Sequence, residues 1–185
     1  MIRAVLDACV LYSAALRDLF MRLTVSLAFQ PIWTEEIQEE WIRNVLENRP
    51  DLTRAQLERT RTQMERYGRE WHAPDYETYL SLVTLPDEDD RHVVAAAIAA
   101  NAPIIVTFNL SDFPSSALAG HGIQAQHPDT FLSQLFDQEP ALFVEAIRDL
   151  LAGLKHPPRT LAQQLDILRA QGLQQTALTY CGAGE

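Results

Sequence analysis

Residues 2–7 read Ile-Arg-Ala-Val-Leu-Asp, and residues 103–107 read Pro-Ile-Ile-Val-Thr. Each is a short apolar run closed by a polar residue. A run of that kind, without strict alternation, is the pattern of a strand buried on both faces in a parallel sheet. Phe29 to Trp33 reads as a second such strand, and Gly122 to Ala125 as a fourth after the one at 103–107. Helical periods fill the spaces between them. From Ala14 to Leu27, the apolar residues Leu16, Leu19, Phe20, Leu23 and Leu27 recur at spacings of three and four. Thr34 is a good N-cap with Glu35 and Glu36 in the first turn, and that helix runs to about Asn48, before Pro50. Asp51-Leu52-Thr53 opens another, to about Trp71. Ala73 to Leu85 reads as irregular, Asp87 to Asp90 leads a helix through Ala100, and Asp129 starts a short one ending near Phe136. Strands alternating with helices predict an α/β fold with a mainly parallel sheet and helices on both faces.

From Glu139 onward the pattern is purely helical: Ala141 to Leu154, then Thr160 to Gln171, then a short tail, with Pro157-Pro158 between the first two. The expected organisation is a domain over 1–136 and a helical C-terminal extension over 137–185. Leu142, Phe143, Ile147, Leu150, Leu151 and Leu154 make an apolar stripe on the extension, expected to pack back on the domain. A partner-binding helix is the alternative.

Composition narrows the class. In 185 residues, 47% are hydrophobic and 22% charged, enough apolar side chain for a packed core and against global disorder. No apolar run is long enough to span a bilayer, and the start of the chain lacks a secretory pattern, so a cytoplasmic protein without a membrane anchor is expected. Cys9 and Cys181 lie at opposite ends without metal-ligand spacing and read as two reduced thiols. The net charge of −10 runs against a generic nucleic-acid binder, which is basic. It is compatible with a carboxylate-rich metal site or with a basic protein partner.

Ligands of open parallel sheets sit beyond the carboxyl ends of the strands. Asp7 lies at the end of the first strand, Asp112 follows the strand 104–107, and Asp90 opens the helix before that strand. Glu40 lies in the second turn of the helix after the second strand. Four carboxylates gathered without cations repel one another, and a divalent metal relieves the repulsion. Oxygen donors favour Mg²⁺ or Mn²⁺ over zinc, and a pair of such ions roughly 3.5–4 Å apart is a common device for phosphodiester hydrolysis. Other uses of an Asp after the first strand fit poorly. Asp7-Ala8-Cys9 is not the Asp-x-Asp of a haloacid-dehalogenase phosphatase, a receiver domain would need further acids before Asp7, and the first turn is not the Gly-rich loop of a dinucleotide site.

The stretches VLDACVLYSA, WTEEIQEEWIRNVL, LPDEDDRHVVAAAIAA and IIVTFNLSDF, taken in order, resemble the successive motifs of the PIN-domain superfamily, most closely the VapC-like toxins of bacterial toxin–antitoxin pairs. The resemblance covers roughly residues 1 to 136. It implies a three-layer α/β/α sandwich and a metal-dependent endoribonuclease acting on single-stranded RNA. Carried over by position, it implies Asp7, Glu40, Asp90 and Asp112 as metal-holding acids for Mg²⁺ or Mn²⁺. Thr107 is expected to hydrogen-bond a carboxylate or phosphate. Asn109 stands where many relatives have Asp and is expected to orient water through its amide. The resemblance also implies an RNA substrate, a basic antitoxin and a homodimer. The alternative function is a catalytically weak PIN-fold module that binds RNA or protein, motivated by Asn109 and the charge of −10.

Several neighbours carry competing readings. Glu36 shares a helix face with Glu40 and is the reserve acid, as Asp89 is for Asp90; one of Asp87 to Asp90 has only to cap the helix. Arg91 and His92 could reach phosphate, against the simpler reading of solvated helix-surface charges. His121 and His127 are expected at the surface. Trp33 and Trp41 are expected in the core, although tryptophans also stack on bases. The arginines Arg54, Arg59, Arg61, Arg66 and Arg69 interleave with Glu58, Glu65 and Glu70, which suits a salt-bridged solvent face as well as a phosphate-tracking stripe.

Overall fold

The computed structural model describes residues 1–153 and 160–183, the last four as backbone. Its centre is a four-stranded sheet, β1 (Ile2–Leu6), β2 (Phe29–Ile32), β3 (Ile104–Val106) and β4 (Gln124–Gln126), in the order β2-β1-β3-β4. Every pairing is parallel, with Leu6 opposite Val106 and Val5 opposite Ile32. Ala4, Val5 and Leu6 point alternately to the two faces and are all fully buried, so helices cover both. The fold is the α/β/α sandwich that the alternating pattern predicts.

The helices are α1 (Ala8–Tyr12), α2 (Ala14–Val25), α3 (Glu35–Asn48), α4 (Arg54–Gly68), α5 (Arg91–Ala99), α6 (Ser115–Leu118), α7 (Pro128–Gln138), α8 (Pro140–Gly153), α9 (Leu161–Ala170) and α10 (Gln174–Ala183). Thr34 caps α3 by accepting the Ile37 N–H, and Thr53 and Gln56 form a reciprocal capping box on α4. One element is additional to the sequence reading, and two expectations are corrected. A short helix, α1, begins directly after Asp7. Residues Tyr76–Leu82, expected as irregular, form a 3-10 helix packed on α5. The expected short tail is α10.

The core is aromatic at its centre. Phe131 of α7 stacks on Phe20 of α2 at 6.1 Å between ring centroids and meets Phe29 of β2 edge-on at 5.4 Å. Trp33 and Trp41 are fully buried, as expected. The extension packs back on the domain: Phe143, Ile147 and Leu150 of α8 are buried, and α8 lies against α2. Leu154 and the Pro157-Pro158 break lie outside the described residues, as does the side chain of Cys181. Among the described residues, no helix is long and apolar enough to cross a membrane.

Candidate metal centre

The strand order places a topological switch at β1 and β3: β2 lies beyond one and β4 beyond the other. That is where a crevice opens at the carboxyl edge of a parallel sheet. Asp7 and Thr107 are the first residues past these two strands. Each continues the ladder by one bond, Asp7 N–H to the Val106 carbonyl at 3.1 Å and Thr107 N–H to the Gln126 carbonyl at 3.0 Å. Their side chains are buried and joined: the Thr107 hydroxyl donates to Asp7 Oδ2 at 2.6 Å. Of the two partners expected for Thr107, the structure gives the carboxylate. The thiol of Cys9, on α1, lies 3.1 Å from the same Oδ2. Burial first, and then the charge of Asp7, pushes the Cys9 thiol up to about 12, so it stays protonated beside the carboxylate.

Two further acids share the electrostatic field of Asp7. The packing of α3 on α1 brings Glu40 to it. Burial raises the Glu40 carboxyl to about 7, with Asp7 and then Asp90 adding to the rise and Arg43 opposing it. Asp90 occupies the N-cap position of α5, yet its side chain makes no capping hydrogen bond. Burial again comes first in raising Asp90, to about 6, followed by Asp7, Asp87 and Asp112. Asp112 ends the 3-10 turn Leu110–Asp112 and accepts a hydrogen bond from Ser111 Oγ at 3.3 Å. Asp7, Glu40 and Asp90 therefore lie within one another's fields, and Asp112 joins through Asp90.

Asn109 does not join them. It is exposed, its N–H donates to Thr107 Oγ1 at 3.0 Å, and its side-chain amide bonds to none of the acids. Glu36 flanks the group, contributing to the field at Glu40 and accepting from the Tyr76 hydroxyl at 3.2 Å. Asp89 is exposed and receives no capping role; its own N–H donates to Asp87 Oδ1 at 2.9 Å.

His92 is corrected. It is not a solvated helix-surface residue but is only 5% exposed. Its Nδ1 lies 3.8 Å from Glu36 and its Nε2 3.8 Å from Glu40, and burial lowers its pKa, favouring the neutral ring. Its signal in the sequence was its place in RHVVAAAIA, a helix apolar nearly all round, where a polar residue in the first turn is drawn inward with its neighbours. The phosphate-contact reading weakens too for Arg91, Arg54 and Arg61. Arg91 pairs with Glu88 at 3.1 Å, Arg54 with Glu39 and Glu58, and Arg61 with Glu65 at 2.7 Å. His121 is exposed, whereas His127 is half-buried edge-on to Phe108, with Nδ1 accepting the Asp129 N–H.

The donor chemistry suits a hard divalent cation. Asp7, Asp90 and Asp112 make no ion pair among the described residues, and Glu40 has only His92 within that range. Burial so poorly compensated raises the carboxyls of Glu40 and Asp90, and a cation among these acids would relieve the cost. The side chains stand apart nonetheless: among the described residues no three His, Cys, Asp or Glu are drawn together closely enough to hold one ion. Ligation by several of these acids at once requires side-chain rotation.

The sequence pattern of the PIN domain matches residues 3–111. The chain belongs to the PIN-domain family. A second pattern, described as the VapC50 C-terminal domain, matches residues 128–179, so α7 to α10 resemble a known extension of such proteins. A Mycobacterium tuberculosis protein named as a candidate ribonuclease, VapC50, is 42% identical over 86 residues. That alignment covers 44% of this chain and 48% of the relative, so the chain spans about half the length of the curated relative it matches. No solved structure matches the chain at a significant level.

Proposed function

We propose that the chain is an endoribonuclease that hydrolyses RNA phosphodiester bonds with Mg²⁺ or Mn²⁺ held by Asp7, Glu40, Asp90 and Asp112. The observation that carries this reading is the shared field of these acids at the carboxyl edge of β1 and β3: Glu40 is raised to about 7 and Asp90 to about 6, each with Asp7 as its largest charged contributor. Membership of the PIN family and likeness to a protein named as a ribonuclease support it.

A divalent ion in this group would supply positive charge at a scissile phosphate and activate water for attack. The chain's own contribution is positional. Asp7 offers a carboxylate fixed by Thr107. Glu40 and His92 hold the adjoining wall, with the imidazole neutral. Asp90 keeps its oxygens free of capping. Asp112 stands on the three-residue 3-10 turn after β3. Asn109, exposed beside Thr107, contributes its backbone N–H to the Thr107 hydroxyl, and its side-chain amide would reach water or substrate only from outside the acid group.

The decisive experiment is cleavage of single-stranded and structured RNA with Mn²⁺ by the wild-type chain and by Asp7→Asn. Loss of several kcal/mol of charge stabilisation corresponds to a rate lower by about 100-fold or more. Wild-type rates from Asp7→Asn would refute the assignment. Absence of Mn²⁺ binding at millimolar concentration would instead favour a binding module, a reading that the detached Asn109 side chain and the charge of −10 support.

The reading extends to a toxin whose antitoxin is basic, since a chain of charge −10 attracts a cationic partner. Co-expression with any small basic protein encoded beside this gene tests this: a partner that co-purifies and silences cleavage is expected, and failure of every such protein to bind removes the partner while leaving the nuclease.

A further inference from the structure

We propose that Thr107 and Cys9 make Asp7 a one-oxygen ligand, and that this device favours Mg²⁺ and Mn²⁺ over the larger Ca²⁺. The proposal rests on the nuclease reading for the identity of the site, and adds how its selectivity is built.

Both side chains converge on Oδ2 of Asp7, the hydroxyl at 2.6 Å and the thiol at 3.1 Å. Oδ1 accepts no hydrogen bond among the described residues, and Asp7 does not use its side chain to cap α1. The direction of both donors is set by the backbone. Asn109 N–H points to Thr107 Oγ1 at 3.0 Å and occupies that oxygen as an acceptor, leaving its proton for Asp7. Phe108 N–H points to Cys9 Sγ at 3.3 Å and does the same for the sulfur. The two donors lie 3.4 Å apart, so the loop after β3 and the start of α1 form one clamp around a single oxygen.

A carboxylate whose second oxygen is committed to two donors binds a cation through the first alone. Mg²⁺ requires compact octahedral geometry built from single oxygens, whereas Ca²⁺ takes six to eight ligands and often both oxygens of a carboxylate. Freeing Oδ2 therefore weakens the small ions and relatively favours Ca²⁺.

The test is calorimetric titration of the full chain with Mn²⁺ and with Ca²⁺. Thr107→Val, nearly isosteric in a fully buried position, is expected to weaken Mn²⁺ by about tenfold, the lower end for loss of an outer partner of a metal ligand. It should narrow the preference for Mn²⁺ over Ca²⁺ by a similar factor. Cys9→Ala should move both in the same direction by less, and Thr107→Ser and Cys9→Ser should restore them. Unchanged Mn²⁺ affinity in both Thr107→Val and Cys9→Ala overturns the proposal. A second readout needs no metal: the infrared S–H stretch of Cys9, identified as the band that Cys9→Ser removes. It should lie below that of a solvated thiol, because the proton is donated to a carboxylate. A Cys9 band at the solvated position overturns the clamp. If the wild type binds neither ion, the nuclease reading fails while the infrared band still judges the clamp.

Discussion

Asp129, in the first turn of α7, and Thr176, in the first turn of α10, are joined at both backbone and side chain. The Thr176 N–H and hydroxyl donate to Asp129 Oδ1 at 2.8 and 2.7 Å, and Gln175 N–H donates to Oδ2 at 2.9 Å. The residue preceding α10 is Leu173, fully buried and without a side-chain oxygen, so the helix has no local cap. Asp129 supplies one from 47 residues upstream while also standing where the dipole of α7 favours an anion.

Asp129→Ala should therefore loosen the C-terminal helix. Charge-assisted bonds to backbone N–H groups and a lost cap together cost about 2 kcal/mol, which in a chain of this size lowers Tm by roughly 4–8 °C. Hydrogen exchange should quicken first at the amides of Gln175 and Thr176. Asp129→Asn should recover part of the loss. Unaltered protection of those amides in Asp129→Ala would show that α10 is held by its apolar contacts alone.

The raised carboxyls of Glu40 and Asp90 set the pH response of the metal-free protein. A group with a folded-state pKa above its unfolded value binds protons more tightly when folded. Its contribution is complete below the unfolded pKa and is lost as pH rises through the folded one. For Asp90 the window runs from 3.8 to about 6, and for Glu40 from 4.5 to about 7. Metal-free protein should thus lose thermal stability between about pH 4 and 7, as far as these two groups decide it. Mn²⁺, which competes with those protons, should bind more tightly across the same interval. Melting curves with and without Mn²⁺ at several pH values provide the check; a gap between them that does not widen from pH 5 to pH 7 would contradict it. Asp7→Asn removes the largest charge acting on both carboxyls and should flatten the metal-free slope.

What the sequence revealed, and what it hid, follows the range of the forces involved. IRAVL and PIIVT declare buried strands because burial on both faces is written into consecutive residues. That Asp7, Glu40 and Asp90 fall within one another's fields, with Asp112 beside Asp90, could be anticipated from their places relative to strand ends and helix starts. Short or remotely stabilised elements could not. The five residues of α1 are too few for a period to register. The start of α10 carries no cap of its own because Asp129 provides it. His92 looked like a surface charge because the apolar run after it signals burial only weakly at the first turn, and the helix Tyr76–Leu82 that packs on α5 was itself not legible. The clamp on Asp7 depends on residues 98 and 100 positions apart in the chain, a proximity that only the β1–β3 register creates.

Arg17 carries the last prediction. It is 8% exposed, with Nη1 donating to the carbonyls of Leu11 and Tyr12 at the end of α1 and the guanidinium 4.3 Å from the centroid of the Trp41 ring. Burial lowers its pKa to about 10, which still leaves it charged at neutral pH. Carbonyls at a helix end lack intrahelical donors, and a cation there satisfies them and complements the dipole. The same side chain ties α1, which carries Cys9, to α3 one residue past Glu40. Arg17→Ala removes charged hydrogen bonds and a desolvated cation–π contact, a loss of about 3 kcal/mol by denaturant unfolding. Arg17→Lys should recover only a minor part, since an ammonium has no planar face to lay on the indole while its donors reach two carbonyls. If Arg17→Lys matches the wild-type midpoint, the contact is a simple charge and the planar geometry is irrelevant. If Arg17→Ala also matches it, the link between α1 and α3 rests on apolar packing alone.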